Sequence, residues 1–129
     1  MRLVLSLLLG LTALAPMALA EGAVQVLDCN LTTTCDAAGA CGPDDTAIVF
    51  TLAPVALGSN GEGEYTIAYD GTSYAMTNVG MIGPYVWAEG ADDVQTLMPT
   101  GPRTLLWVRQ DAATSIAATT HFLTCKDPA

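Results

Sequence analysis

Lysine and arginine are scarce in this chain. Four of them stand against thirteen aspartates and glutamates, with a single histidine, for a formal charge of −9. A surface of that sign repels polyanions, so nucleic acid is not expected as a partner. Long apolar runs are also missing, apart from the 13 residues from Leu3 to Ala15. That run is shorter than the ~20 residues that cross a bilayer as a helix. No C-x-x-C pair, G-x-S-x-G elbow or glycine-rich phosphate loop occurs. The usual sequence marks of thiol redox chemistry, elbow-type serine hydrolysis and phosphate cradling are therefore lacking. No stretch carries a sustained helical stripe of apolar residues.

What the N-terminus does have is an export signal. Arg2 precedes the apolar run, Pro16 breaks it, and Ala18-Leu19-Ala20 supplies small residues before a cut. Residues 1–20 read as a cleaved secretory signal and residues 21–129 as a single domain, with no membrane span after cleavage. Arg2 leaves with the signal. Arg103, Arg109 and Lys126 then face all thirteen carboxylates. The expected location is the periplasm or the cell exterior.

Export decides how the four cysteines are read. Cys29, Cys35 and Cys41 are separated by five residues each, and 83 residues separate Cys41 from Cys125. Zinc sites use short pairs at both ends, which this spacing does not provide. In an oxidising compartment an even set reads as disulfides. Four cysteines allow three connectivities, of which Cys35–Cys41 and Cys29–Cys125 is the one preferred here. The segment between Cys35 and Cys41 is short and holds Gly39, so it can turn back on itself. The second bridge would tie the first strand to the last.

The remaining chain alternates with a period of two. In EYTIAYDGTSYAM, Asp70-Gly71 forms a type I′ hairpin turn. That register sets Tyr69 against Thr72, Ile67 against Tyr74 and Tyr65 against Met76, all on one apolar side. AVQVLDC, AIVFTLAPV, PYVWAE, DVQTLM, RTLLWVRQ and SIAATTHFLTC read as further strands joined by short turns. Pro54 marks an end or an edge. The expected fold is all-β: a small antiparallel meander of about eight short strands, curled into a sheet or barrel and stapled by disulfides.

Few residues point to chemistry. His121 is the one group with an ordinary pKa near neutrality, and a lone strand histidine is usually structural. Asp36, Asp44 and Asp45 lie near glycines, but without the spacing of a calcium loop. Asp92-Asp93 reads as a solvated turn. Tyr85, Trp87 and Glu89 share a side of PYVWAE and form the candidate binding face, since a carboxylate beside aromatics can hold a cation or a sugar. Trp107 and Arg109 share a side in the same manner. No catalytic, metal or cofactor residues are assigned, and no enzyme is expected.

The expectation is an exported binding protein whose acidic surface suits a cationic protein, as an interaction or inhibitor module. Size, charge and export are shared with small acidic periplasmic inhibitors of basic lysozymes, an analogy of class. The alternatives are a carrier, with an apolar interior lined by Tyr65, Ile67, Tyr74, Met76 and Trp107 and gated at Met81-Ile82, or a structural envelope protein. An enzyme working through His121 or Glu89 is a further class.

Overall fold

The computed structural model describes residues 23–111 and 117–126. The signal segment 1–20, its cleavage position and the turn after Asp111 lie outside the described residues. Nine strands are present among those described: β1 (Gln25–Cys35), β2 (Cys41–Pro43), β3 (Ala47–Leu57), β4 (Gly63–Tyr69), β5 (Thr72–Asn78), β6 (Tyr85–Ala88), β7 (Val94–Gly101), β8 (Thr104–Asp111) and β9 (Ala117–Cys125). Each pairs antiparallel with the next in space, in the order β2-β1-β3-β4-β5-β6-β7-β8-β9. β1 also pairs with β9, so β1 and β3 to β9 close an eight-stranded barrel and β2 adds to it.

The Asp70-Gly71 hairpin forms as expected. Both residues have positive φ, 49° and 78°, as a type I′ turn requires. Tyr69 pairs with Thr72, Ile67 with Tyr74 and Tyr65 with Met76. β1 does more than expected. It runs through the first cysteine cluster to Cys35, with residues 25–30 on β3 and residues 29–35 on β9. Thr32 is the extra residue of a bulge between Leu31 and Thr33. Pro54, expected to end or edge a strand, is instead carried within β3, and Pro99 within β7. Pro54 and Pro99 each sit where the register shifts, between Pro54 and Ala56 and between Pro99 and Gly101. A bulge frees a position from the ladder, so the missing N–H costs no bond there.

The interior is packed. Ile48, Phe50 and Leu52 of β3 meet Ile67, Met76, Leu97, Trp107 and Leu123 from the other strands, all buried. Phe50 stands edge-on to Trp107 and to Tyr69, with ring centroids 5.3 and 5.4 Å apart, arrangements that aromatic quadrupoles favour. Ile67, Met76 and Trp107 belong to the packed middle, Tyr74 packs against it, and Tyr65 lines a cleft at one mouth. The five residues expected to line an interior cavity thus share no cavity.

Both expected disulfides are formed, Cys29–Cys125 across the β1–β9 seam and Cys35–Cys41 between β1 and β2. Two such bridges fit an oxidising compartment. No described helix is long and apolar enough to cross a membrane. Charges avoid the β5 to β9 side of the barrel wall. The outward positions of β5 to β9 carry Ser, Thr, Ala, Val, Met, Leu, Gln and Phe, with no ionisable group.

The two bridges should differ in worth because they close loops of different length. Replacing Cys29 and Cys125 together by Ala is expected to lower the unfolding free energy by about 4–5 kcal/mol, and Cys35 with Cys41 by about 2 kcal/mol. Urea titration of both double variants checks the order, which equal losses would refute. Gly63 has φ of 134°, and a Cβ there would lie 2.2 Å from the Ala56 carbonyl oxygen. Gly63→Ala should therefore cost about 2 kcal/mol or more in the same titration.

Candidate functional site

Antiparallel strands gather their turns at two mouths. One receives the β1–β2 turn, the β4–β5 turn, the β6–β7 link and the end of β8. Asp36, Asp70, Glu89, Asp92, Asp93 and Asp111 lie on these segments, and Asp44 lies on the β2–β3 link. Arg109 is the only described Lys or Arg among them. The mouth holds a cavity of about 410 Å³ lined by Glu89, Asp93, Gln95, Arg109 and His121, among others.

Its floor is a chain of hydrogen bonds on the aromatic core. Trp87 Nε1 donates to the Tyr69 hydroxyl at 3.1 Å, and that hydroxyl donates to Glu89 Oε1. Burial, then the Glu89 bond, push the Tyr69 hydroxyl well above the usual tyrosine range, while the Trp87 bond opposes them. Tyr69 therefore remains a donor. Glu89 Oε2 accepts from Arg109 Nη2 at 3.3 Å. The Arg109 guanidinium lies 4.7 Å from the centre of the Trp107 ring, a cation–π contact. Trp107 Nε1 donates to Gln95 Oε1 at 3.1 Å, so the buried Gln95 amide is engaged as well.

His121 forms the second half. It is 8 % exposed and its ring is 5.3 Å from that of Trp107. Thr34 Oγ1 donates to Asp44 Oδ2 at 2.7 Å and lies 2.7 Å from His121 Nδ1. With its own proton given to Asp44, the hydroxyl can only accept from His121. Nδ1 therefore carries the ring proton. Burial, reinforced by Arg109 and opposed by Asp44, lowers the His121 pKa. The Thr34 bond, then those from Thr46, hold Asp44 down to about 2.

The structure separates the expected binding face. Tyr85, Trp87 and Glu89 do share one side of β6 and its extension, but they run the length of the barrel. Tyr85 lines the opposite mouth, Trp87 is buried in the core, and Glu89 is at the acidic mouth. Asp36 Oδ1 accepts from the Ala38 and Ala40 amides, and Asp44 Oδ1 from Thr46. These two aspartates are turned to their own loops. Among the described residues no three His, Cys, Asp or Glu side chains are grouped to hold a metal. Sequence reasoning did not foresee Thr34, Gln95 or Asp93 as members of the cluster. Asp93 Oδ1 is buried without a hydrogen-bond partner among the described residues.

The His121 pKa is depressed in the folded chain, so below its ordinary value of 6.5 the unfolded chain binds the proton more readily. Stability is then full above pH 6.5 and is lost as pH falls through the depressed value. Asp44 adds a second loss as pH falls from 3.8 toward about 2. His121→Gln should flatten the first limb and keep the second when unfolding is followed against pH. A wild-type stability that stays level from neutrality down to the carboxylate range would contradict the first.

No family model, curated protein or solved structure matches the chain.

Proposed function

We propose that this chain is an exported, non-catalytic binding protein that docks a cationic protein against its acidic mouth, as an interaction or inhibitor module. One observation carries the reading: six carboxylates, Asp36, Asp70, Glu89, Asp92, Asp93 and Asp111, lie on turns and strand ends at one mouth, and the one described Lys or Arg among them, Arg109, is held by Glu89 and Trp107. The uncharged wall of β5 to β9 concentrates the field at that end. Such a field steers a positive partner and fixes its orientation more than it adds raw affinity. Asp93 Oδ1, buried and without a partner, offers an acceptor to an incoming cationic side chain. The packed interior speaks against the carrier alternative. The two disulfides support placement in the periplasm or outside the cell.

Surface plasmon resonance against a basic lysozyme and cytochrome c tests the reading. Association should be detectable at low ionic strength and fall steeply as salt approaches ~0.15 M. Asp70→Asn, Asp92→Asn and Asp93→Asn combined should weaken it about tenfold or more. Glu62→Gln with Glu64→Gln, away from that mouth, should leave it unchanged. Failure of both probes to bind at low salt, or an equal loss from both sets of substitutions, would sink the proposal.

A further inference from the structure

The mouth opposite the acidic one has a different chemistry. The β3–β4 link, the β5–β6 link and the start of β1 enclose a cleft of about 640 Å³, within the ~300–1,000 Å³ of small-molecule sites. None of its lining residues is charged, in a chain with thirteen carboxylates. Gln25, Ser59, Asn60 and Asn78 supply amides and a hydroxyl, and Tyr65 and Tyr85 supply rings. Those two rings meet edge to face at 6.1 Å.

Asn78 is the decisive residue. It ends β5 and is 2 % exposed. Its Nδ2 donates to the Gly61 carbonyl at 2.9 Å, and the Tyr65 hydroxyl donates to the same carbonyl at 3.1 Å. Its Oδ1 is buried and meets no donor among the described residues. Flipping the amide would set its oxygen against the Gly61 carbonyl, so the orientation is fixed. A buried amide oxygen without a donor is uncommon in native proteins and leaves an acceptor for a water or for a ligand hydroxyl that displaces it.

We infer that this cleft binds a neutral saccharide of one or two rings, with a ring hydroxyl donating to Asn78 Oδ1. The uncharged lining selects a neutral ligand, because an ion would enter without a counter-charge. Side-chain amides and hydroxyls both donate and accept, which matches adjacent sugar hydroxyls. Tyrosine rings offer apolar area for the C–H face of a sugar. Met81, 73 % exposed between Gly80 and Gly83, borders the cleft and can move to admit the ligand. This site lies at the other end from the acidic mouth and does not depend on the reading made there.

The test is NMR titration of the ¹⁵N-labelled protein with cellobiose, maltose and N,N′-diacetylchitobiose, each to about 20 mM, with ligand-observed saturation transfer. At least one sugar should bind with Kd of about 1 mM or tighter. It should shift the Asn78 side-chain amide and the Gly61 and Met81 backbone signals. Asn78→Leu should weaken binding at least about tenfold, since the ligand hydroxyl loses its acceptor. Should that variant not fold, Gln25→Ala at the cleft lip should weaken binding severalfold with the barrel spectrum intact. No shift at Asn78 with any of the three sugars overturns the inference. Binding that is indifferent to both substitutions overturns it too. Lysozyme or cytochrome c binding should be unaffected by bound sugar, so the two proposals fail independently.

Discussion

Everything in this fold hangs on β1 serving two partners. Its first half hydrogen-bonds β3 and its second half hydrogen-bonds β9. Where the halves overlap, Cys29 pairs opposite Cys125 and is bonded to it. A sheet of eight strands without that seam would expose two edges and half of its apolar face. With the seam closed, inward side chains from every strand meet in one core, and every barrel strand has two neighbours. The disulfide acts mainly on the unfolded chain, whose ends it keeps together. The hydrogen bonds of the seam act on the folded one.

A packed middle leaves the mouths as the places where inward polar groups can gather. Inward positions near the centre must be apolar to fill the barrel. Inward positions near the ends are freed from that demand. Along β6 and its extension the side chains pass from Tyr85 through Trp87 to Glu89, and along β8 from Leu105 through Trp107 to Arg109. The two polar ends of these rows meet as the Glu89–Arg109 pair. At 3.3 Å and partly exposed, that pair contributes orientation more than stability. The opposite mouth ends its rows in amides and phenols, and the two ends of one barrel acquire unlike chemistry.

Much of the wall was legible in the residues, and little of the mouths was. Asp70-Gly71 demands positive φ at both positions, so the central hairpin and its register followed from a local rule. Alternation placed Trp107 beside Arg109 and set His121 with Leu123 and Cys125. The cysteine pairing followed from compartment and a short turn. Closure had no local signature, because β1 and β9 lie at opposite ends of the described chain. Prolines obscured the lengths of β3 and β7, since a bulge that tolerates the missing N–H is invisible in composition. The hydrogen-bonded clusters were hidden for the same reason as closure. Thr34, Asp44 and His121 touch only because the barrel brings strand ends together. Asn78 stood at the edge of a glycine-rich link, where nothing in the pattern marks a buried amide.

The single bulge at Thr32 divides β1 into two phases. Before it, Cys29 and Leu31 face the core; after it, Thr34 does, while Cys35 pairs across from Thr120 on the outer side. Counted without the bulge, odd positions would stay inside and Thr34 would point to solvent. His121 would then stand opposite Thr33 in place of Thr34. Deletion of one residue at the bulge would leave Leu31 opposite Leu123 and Thr34 opposite His121, because β1 carries one residue more there than its partner strand. Loss of a second residue would set Thr34 opposite Phe122 on the outer face, so the Asp44–Thr34–His121 link has a margin of one residue in the length of β1.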